Sequence, residues 1–179
     1  MQSVLRLLAE ISEESHLPIL LIGGHALQAY GVSRLTMDVD VLVAEADASA
    51  VGAALRRAGY AQAVHSEIFA RYRHPSIVLA DVDVLFVDGD TATRMSGQAT
   101  RWVVGETTCL VPALPHLVAM KLHAIQSNPQ REPRDFADIV ELVRANPGSV
   151  SQDELRGLCV KYGPEGAWEK LEAVLWKTH

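Results

Sequence analysis

The feature that most constrains this chain is the stretch from residue 22 to residue 43, IGGHALQAYGVSRLTMDVDVLV, in which two aspartates are set into an apolar run. In a strand successive side chains point to opposite faces, so Asp38 and Asp40 share one face while Met37, Val39, Val41 and Val43 share the other. The apolar face calls for burial. The two carboxylates, with Cα atoms roughly 6.5–7 Å apart, repel each other unless a cation offsets them. A second run, LADVDVLFV at residues 79–87, repeats the design, with Asp81, Asp83 and Leu85 on one face and Val82, Val84 and Phe86 on the other. If the two runs are neighbouring strands, three or four carboxylates converge on one edge of a sheet.

Such a cluster suits a hard divalent cation with oxygen ligands. Magnesium bound by few carboxylates keeps coordination positions open for substrate phosphates. This chemistry points to phosphoryl or nucleotidyl transfer, although phosphodiester hydrolysis uses similar parts. Solvated aspartates on an exposed strand are the bland alternative, and the depletion of acidic residues in strands speaks against it. Ahead of the first acidic run, Gly23 and Gly24 allow a sharp turn and a close approach of backbone to a ligand, and the following helix can turn its first N–H groups toward a phosphate. Arg34 suits either a carboxylate of the site or a nucleotide phosphate, and a plain surface arginine is the competing reading. His25, beside the glycines, reads as a capping or packing residue.

Composition limits the classes. The 179 residues fit one domain, or one domain with a small helical appendage, and a hydrophobic fraction of 49% supports a real core. The formal charge of -6 argues against a broadly basic nucleic-acid binder, so an RNA partner would have to be gripped locally. No apolar run reaches the roughly 18 residues of a membrane span, and no basic-then-apolar secretory signature opens the chain, which sets the expectation of a cytoplasmic protein with no membrane partner. Cys109 and Cys159 fit no zinc spacing and read as small core residues.

Periodicity sets out the elements. Residues 2–15 read as an amphipathic helix, 17–22 as a buried strand, 47–58 as a helix stopped by Gly59, and 67–73, EIFARYR, as a strand. Residues 101–112 read as a hairpin or edge strands around Gly105. Helices are expected over 115–125 and over 133–144, the latter with Phe136, Ile139, Val140 and Val143 as its core stripe. Lys121 is a charge among hydrophobes that either snorkels to solvent or points at an acidic site. Asp135 and Asp138 lie three apart near a helix start, where the dipole favours them whatever their function. Two further helices, 151–160 and 165–177, are split by Gly163 and Pro164, and Trp168 and Trp176 fall on one face of the second. The expected organisation is a mixed α/β domain over 1–145 with a C-terminal helical extension over 146–179.

The glycine pair, the helix, Asp-x-Asp in a strand and a third Asp in a later strand resemble the polymerase-beta-like nucleotidyltransferase superfamily. The wording GGHALQAYGVSRLTMDVDVLV, VDVLFV and KLHAIQSNPQREPRDFADIVEL is similar to the minimal AbiEii-like nucleotidyltransferases, many of them toxins of toxin and antitoxin pairs. The resemblance covers about residues 18–143. It implies a nucleotidyltransferase fold, α/β in the α+β sense, with a mixed and mostly antiparallel central sheet flanked by helices. It also implies transfer of a nucleoside monophosphate from a triphosphate to a hydroxyl, with Mg2+ or Mn2+ as cofactor.

By resemblance, Gly23 and Gly24 match the phosphate-facing turn, where Gly-Ser is commoner in the family. Asp38 and Asp40 match two metal-binding carboxylates. Asp83, preferred to Asp81, matches a third that holds metal and activates the acceptor hydroxyl. Lys121 matches a lysine that contacts nucleotide phosphates, and Asp135, with Asp138 as the alternative, matches an acidic residue close to it. The acceptor is left open between the end of a transfer RNA, a protein side chain and a small molecule, as in an aminoglycoside-type adenylyltransferase. An antitoxin protein is the further partner implied. A catalytically silent nucleotide- or partner-binding module of the same fold is the alternative from a different class.

Overall fold

In the computed structural model, which describes residues 2–177, the two acidic runs become adjacent strands. The first unit of the chain, residues 1–26 and 34–112, carries a sheet of seven strands among the described residues. Its strands are β1 (Leu20–Leu21), β2 (Val39–Ala44), β3 (Ala61–His65), β4 (Phe69–Arg73), β5 (Val82–Val87), β6 (Thr100–Val104) and β7 (Thr107–Val111), in the order β3-β4-β5-β2-β1-β7-β6. Pairing is parallel for β2 with β5 and for β1 with β7, and antiparallel for the other four neighbours. The sheet is thus mixed and mostly antiparallel, as expected.

β2 and β5 lie inside this sheet, not at its rim. Val39, Val41 and Val43 of β2 and Val82, Val84 and Phe86 of β5 are all buried, the apolar faces that alternation predicted. Leu42, on the same face as Asp40, is also buried, so this face turns from apolar to acidic toward the strand's start. Two expectations are corrected here. Both acidic runs were read as strand throughout, but β2 starts at Val39 and β5 at Val82, which leaves Met37, Asp38 and Asp81 just ahead of the strands. Met37 is therefore 80% exposed and does not join the buried valine face. The carboxylates converge at the N-terminal ends of two interior strands and not along a sheet edge.

The helices of this unit are α1 (Gln2–Ser15), the start of α2 (Gly23–Ala29), α3 (Ala48–Arg57) and α4 (Gly89–Gly97). α1 buries Val4, Leu5, Leu8 and Ile11 and lies against β7 and α3, as its amphipathic spacing requires. α3 ends at Arg57, with Gly59 at φ 92° turning the chain toward β3. Two elements went unread. β3 is exposed at all five positions and shows no alternation of burial, since its pairing with β4 makes it the sheet's rim. α4 carries mostly small and polar residues but has a readable start, Asp88, whose side chain accepts a hydrogen bond from the Thr91 N–H.

The second unit, described over residues 27–33 and 113–177, is helical. It contains α5 (Leu114–Ser127), α6 (Glu132–Ala145), α7 (Gln152–Tyr162) and α8 (Ala167–Leu175). α5 packs on α6 and α7, and α8 on α6 and α7, with Leu122, Ile125, Ile139, Leu142, Leu155 and Leu171 fully buried. Trp168 and Trp176 pack against each other with ring centroids 6.0 Å apart, so their shared face serves packing. The expected stripe of α6 is corrected. Its buried positions are Asp135, Asp138, Ile139, Val140 and Leu142, while Phe136 and Val143 are only half-buried. The helix is rotated so that two carboxylates face inward, and Lys121 of α5 is the reason.

Leu42 is 2% exposed between Leu20 of β1 and Leu85 of β5, so the interior of the sheet depends on it. Leu42→Ala is expected to lower unfolding stability by about 2–5 kcal/mol. Urea denaturation measures this, and an unchanged midpoint would contradict a centrally buried β2.

Candidate active site

The site of the first unit is built by register. Parallel pairing sets Asp40 opposite Asp83, and antiparallel pairing of β4 with β5 sets Arg71 opposite Asp83. Side chains in register share a face, so Arg71, Asp83 and Asp40 form one row across three strands. Asp38 lies one pleat before Asp40. The backbone closes this end as well, since the Val39 N–H donates to the Asp81 carbonyl at 2.9 Å and the Ile22 N–H to the Asp40 carbonyl at 2.9 Å.

Arg71 decides the electrostatics of the row. Its Nε donates to Oδ1 of Asp83 at 2.7 Å and its Nη2 to Oδ2 at 2.5 Å, a two-pronged match of guanidinium to carboxylate. The same Nη2 stands 3.8 Å from Oδ2 of Asp38. Asp83 is only 8% exposed, whereas Asp38 is half-exposed. The hydrogen bond to Asp83 first, and the fields of Asp83, Asp38 and Asp81 after it, hold the guanidinium pKa above its ordinary value. Arg73 pairs with the other acid of β5's approach, its Nε 3.0 Å from Oδ2 of Asp81. Asp83 stands in register with Asp40, and Asp81 is paired outward with Arg73.

The glycine pair meets this row directly. Gly23 has φ 62°, and a Cβ built on it would fall 2.1 Å from Oδ2 of Asp40. A side chain is excluded there both by the backbone conformation and by the carboxylate. At Gly24 a Cβ would lie 2.8 Å from Cβ of Thr36, whose hydroxyl donates to the Asp38 carbonyl at 3.1 Å. Thr36 thus fills the space that a serine side chain in the commoner Gly-Ser turn would need. Arg34 is half-buried in the irregular segment that leads to β2, and His25 is buried, in keeping with a packing role.

The donor set suits a hard cation. Magnesium takes one or two protein carboxylates together with phosphate and water oxygens, and Asp38 and Asp40 supply two such carboxylates, Asp38 open to solvent. Among the described residues no group of three or more His, Cys, Asp or Glu is disposed around a common metal position. Asp83, expected as a third ligand, has both oxygens engaged by Arg71. No sequence-based reading singled out Arg71. The signal was nevertheless present: Arg71 and Arg73 are spaced two apart in EIFARYR, matching Asp81 and Asp83 in antiparallel order.

In the second unit Lys121 does not snorkel to water. Its ammonium is 3.0 Å from Oδ1 of Asp135 and 2.6 Å from Oδ2 of Asp138, and Nε of Arg131 is 2.7 Å from Oδ2 of Asp135. The lysine expected to lie close to Asp135, with Asp138 as alternative, is therefore bound by both. Burial alone would raise the Asp135 carboxyl pKa, but Lys121 and Arg131 outweigh it and hold the pKa below the ordinary 3.8.

The sheet order, the carboxylate row and the glycine turn form the arrangement that the resemblance to polymerase-beta-like nucleotidyltransferases implies. Residues 6–174 match the family described as nucleotidyl transferase AbiEii toxin, type IV TA system, and the chain belongs to that family and is a nucleotidyltransferase. A comparison with curated proteins gives no match. Among solved structures, the chain is similar to ANT(2")-Ia in complex with adenylyl-2"-tobramycin at 12% identity, over 90% of this chain and 95% of that one, with a TM-score of 0.68. It is also similar to an antigenic nucleotidyltransferase-like protein from Paracoccidioides brasiliensis, at 14% identity over 97% and 90% of the two chains and a TM-score of 0.62. A third is the lincosamide antibiotic adenylyltransferase LnuA, lincomycin-bound, at 13% identity over 76% and 92% and a TM-score of 0.55. At these identities the likenesses concern the fold.

Asp135 and Asp138 are 1% and 2% exposed, so Lys121→Met leaves buried carboxylates without their main counter-charge. A loss of about 3–5 kcal/mol is expected at neutral pH. In the native protein the depressed Asp135 carboxyl contributes stability that is complete above 3.8 and is lost as the pH falls through its lower folded value. In Lys121→Met the Asp135 carboxyl loses the largest of the charges that lower its pKa, so the stability gap between the two proteins should narrow on acidification. Urea midpoints measured from pH 7 downward test this, and a gap that widens in acid would refute the ion-pair account.

Proposed function

We propose that the chain moves a nucleoside monophosphate from a nucleoside triphosphate to a hydroxyl acceptor, with Mg2+ or Mn2+ bound at Asp38 and Asp40. The observation that carries this reading is the convergence of Asp38, Asp40 and Asp83 at the N-terminal ends of β2 and β5, beside a glycine turn that a side chain cannot enter. A bound magnesium supplies charge stabilisation for the phosphate oxygens. The chain's own residues supply placement. Asp38 and Asp40 would hold the cation, Gly23 and Gly24 let backbone approach the phosphates, and Arg34 suits one of them.

Asp83 is the carboxylate assigned to accept the proton of the attacking hydroxyl, since a carboxylate keeps acceptor capacity beyond two hydrogen bonds. Lys121 is assigned to contact with nucleotide phosphate, with Asp135 and Asp138 orienting its ammonium. We assign the nucleotidyltransferase domain to residues 1–145 and treat 146–179 as its helical extension. Among the described residues no helix is long and apolar enough to cross a membrane. As a member of a toxin family, the chain is assigned a cytoplasmic setting and restraint by an antitoxin protein.

The acceptor is assigned by class alone, a hydroxyl on a transfer RNA end, a protein or a small molecule. The likeness to ANT(2")-Ia with adenylyl-2"-tobramycin keeps an antibiotic hydroxyl among the acceptors to be tested. A catalytically silent nucleotide-binding module is a second reading, favoured by one observation: Arg71 holds both oxygens of Asp83. Calorimetry showing triphosphate binding without turnover on any acceptor would select it.

Pure protein incubated with each labelled triphosphate, Mg2+ and total RNA, total protein or aminoglycosides should incorporate label into one acceptor class. In Asp38→Asn/Asp40→Asn incorporation is expected to fall more than about 100-fold, the scale of losing charge stabilisation at a transition state. Undiminished labelling in that double variant would remove the mechanism.

A further inference from the structure

This inference rests on the function just proposed, in which a divalent cation works at the acidic ends of β2 and β5. Arg71 lies where a second cation would have to go. An ion shared by Asp83 and Asp38 would sit between their facing oxygens, and Nη2 of Arg71 is already there, 2.5 Å from Oδ2 of Asp83 and 3.8 Å from Oδ2 of Asp38. The position is built by the sheet and not by a loop: antiparallel register places Arg71 opposite Asp83, and the fork fixes the guanidinium in two places. Asp83 is buried and has both oxygens engaged. A guanidinium keeps its charge at every pH a folded protein meets, so this cation is permanent. Arg73 and Asp81 form the matching pair one pleat away, but there the arginine is exposed and the pair contributes little.

We propose that Arg71 is the resident cation of this centre. It stands in for a second divalent ion between Asp83 and Asp38, orients the Asp83 carboxylate, and leaves a centre that takes a single divalent cation at Asp38 and Asp40. Arg71 is thus a positioning residue, and Asp83 is its partner and not a metal ligand. A dication brought beside this guanidinium is repelled, whereas removal of the guanidinium exposes a second group of oxygens that attracts one.

Mn2+ titrated into the full chain without nucleotide, with free Mn2+ counted by electron paramagnetic resonance, reads the number of cation sites independently of turnover. One equivalent is expected in the native protein, in Asp83→Asn and in Arg71→Lys, which keeps the charge. Two are expected in Arg71→Gln. Equal stoichiometry and affinity in the native protein and Arg71→Gln overturn the proposal, and so do two equivalents in the native protein. Should Arg71→Gln fail to fold, Asp83→Asn carries the test, because loss of Mn2+ there would make Asp83 a ligand. Asp38→Asn/Asp40→Asn separates this proposal from the function beneath it. Mn2+ retained in that variant removes the cation site both depend on. Mn2+ lost there, with the native protein and Arg71→Gln alike, removes only the role of Arg71. Absent nucleotide transfer together with the expected Mn2+ pattern removes the function and upholds the resident cation.

Discussion

Parallel pairing of β2 with β5, in the register that sets Asp40 beside Asp83, is the constraint on which the site rests. The side-chain period of a strand is two, so a slip of one residue would turn Asp40 toward the valine-lined face and bring Val39 out. The valines prevent that slip. Val39, Val41, Val82 and Val84 are all nearly inaccessible, and exposing them would cost about 25 cal/mol per Å2 of apolar surface. The apolar face of the two strands therefore fixes the position of the carboxylates on the other face.

The carboxylates are then held from two sides. Arg71 grips Asp83 from β4, and the Cα of Gly23 approaches Asp40 from the opposite neighbour in the chain's path, so closely that a methyl group would collide. The glycine pair has separate reasons at its two positions. At Gly23 the left-handed backbone and the Asp40 carboxylate both exclude a side chain, and at Gly24 the methyl-bearing carbon of Thr36 does. A partly buried, bidentate charge pair differs from the Arg73–Asp81 pair, whose arginine is exposed: breaking the first strands a buried carboxylate, whereas the half-buried Asp81 can reach water.

The helical unit uses the same physics with the signs exchanged. One lysine is enclosed by two buried aspartates, with Arg131 completing the charge balance at Asp135. The cost of burying Asp135 and Asp138 in α6 is offset by these bonds, and this selects the rotation of the helix. Asp135, Asp138, Ile139 and Leu142 follow helical spacing as faithfully as an apolar stripe would, with ionic groups in two of its places.

Much of this protein was legible in its residues because the signals are local. Alternation of apolar and acidic residues gave β2 and β5, and helical spacing gave α1, α3 and α5. The paired glycines gave the turn, and the two Asp-x-Asp runs gave the acidic cluster and its likeness to nucleotidyltransferases. Where those signals were weak the reading failed, at β3, whose exposed residues do not alternate in burial, and at α4, whose polar surface hid all but its cap. What the tertiary structure alone decided concerns partners distant along the chain. The pairing of Arg71 with Asp83, of Arg73 with Asp81, and of Lys121 with both Asp135 and Asp138 depends on strand register and helix rotation. Local sequence sets which face a side chain takes, but only the packed sheet and helices set which charge stands opposite it, because that choice minimises the burial of unpaired charge across the whole unit.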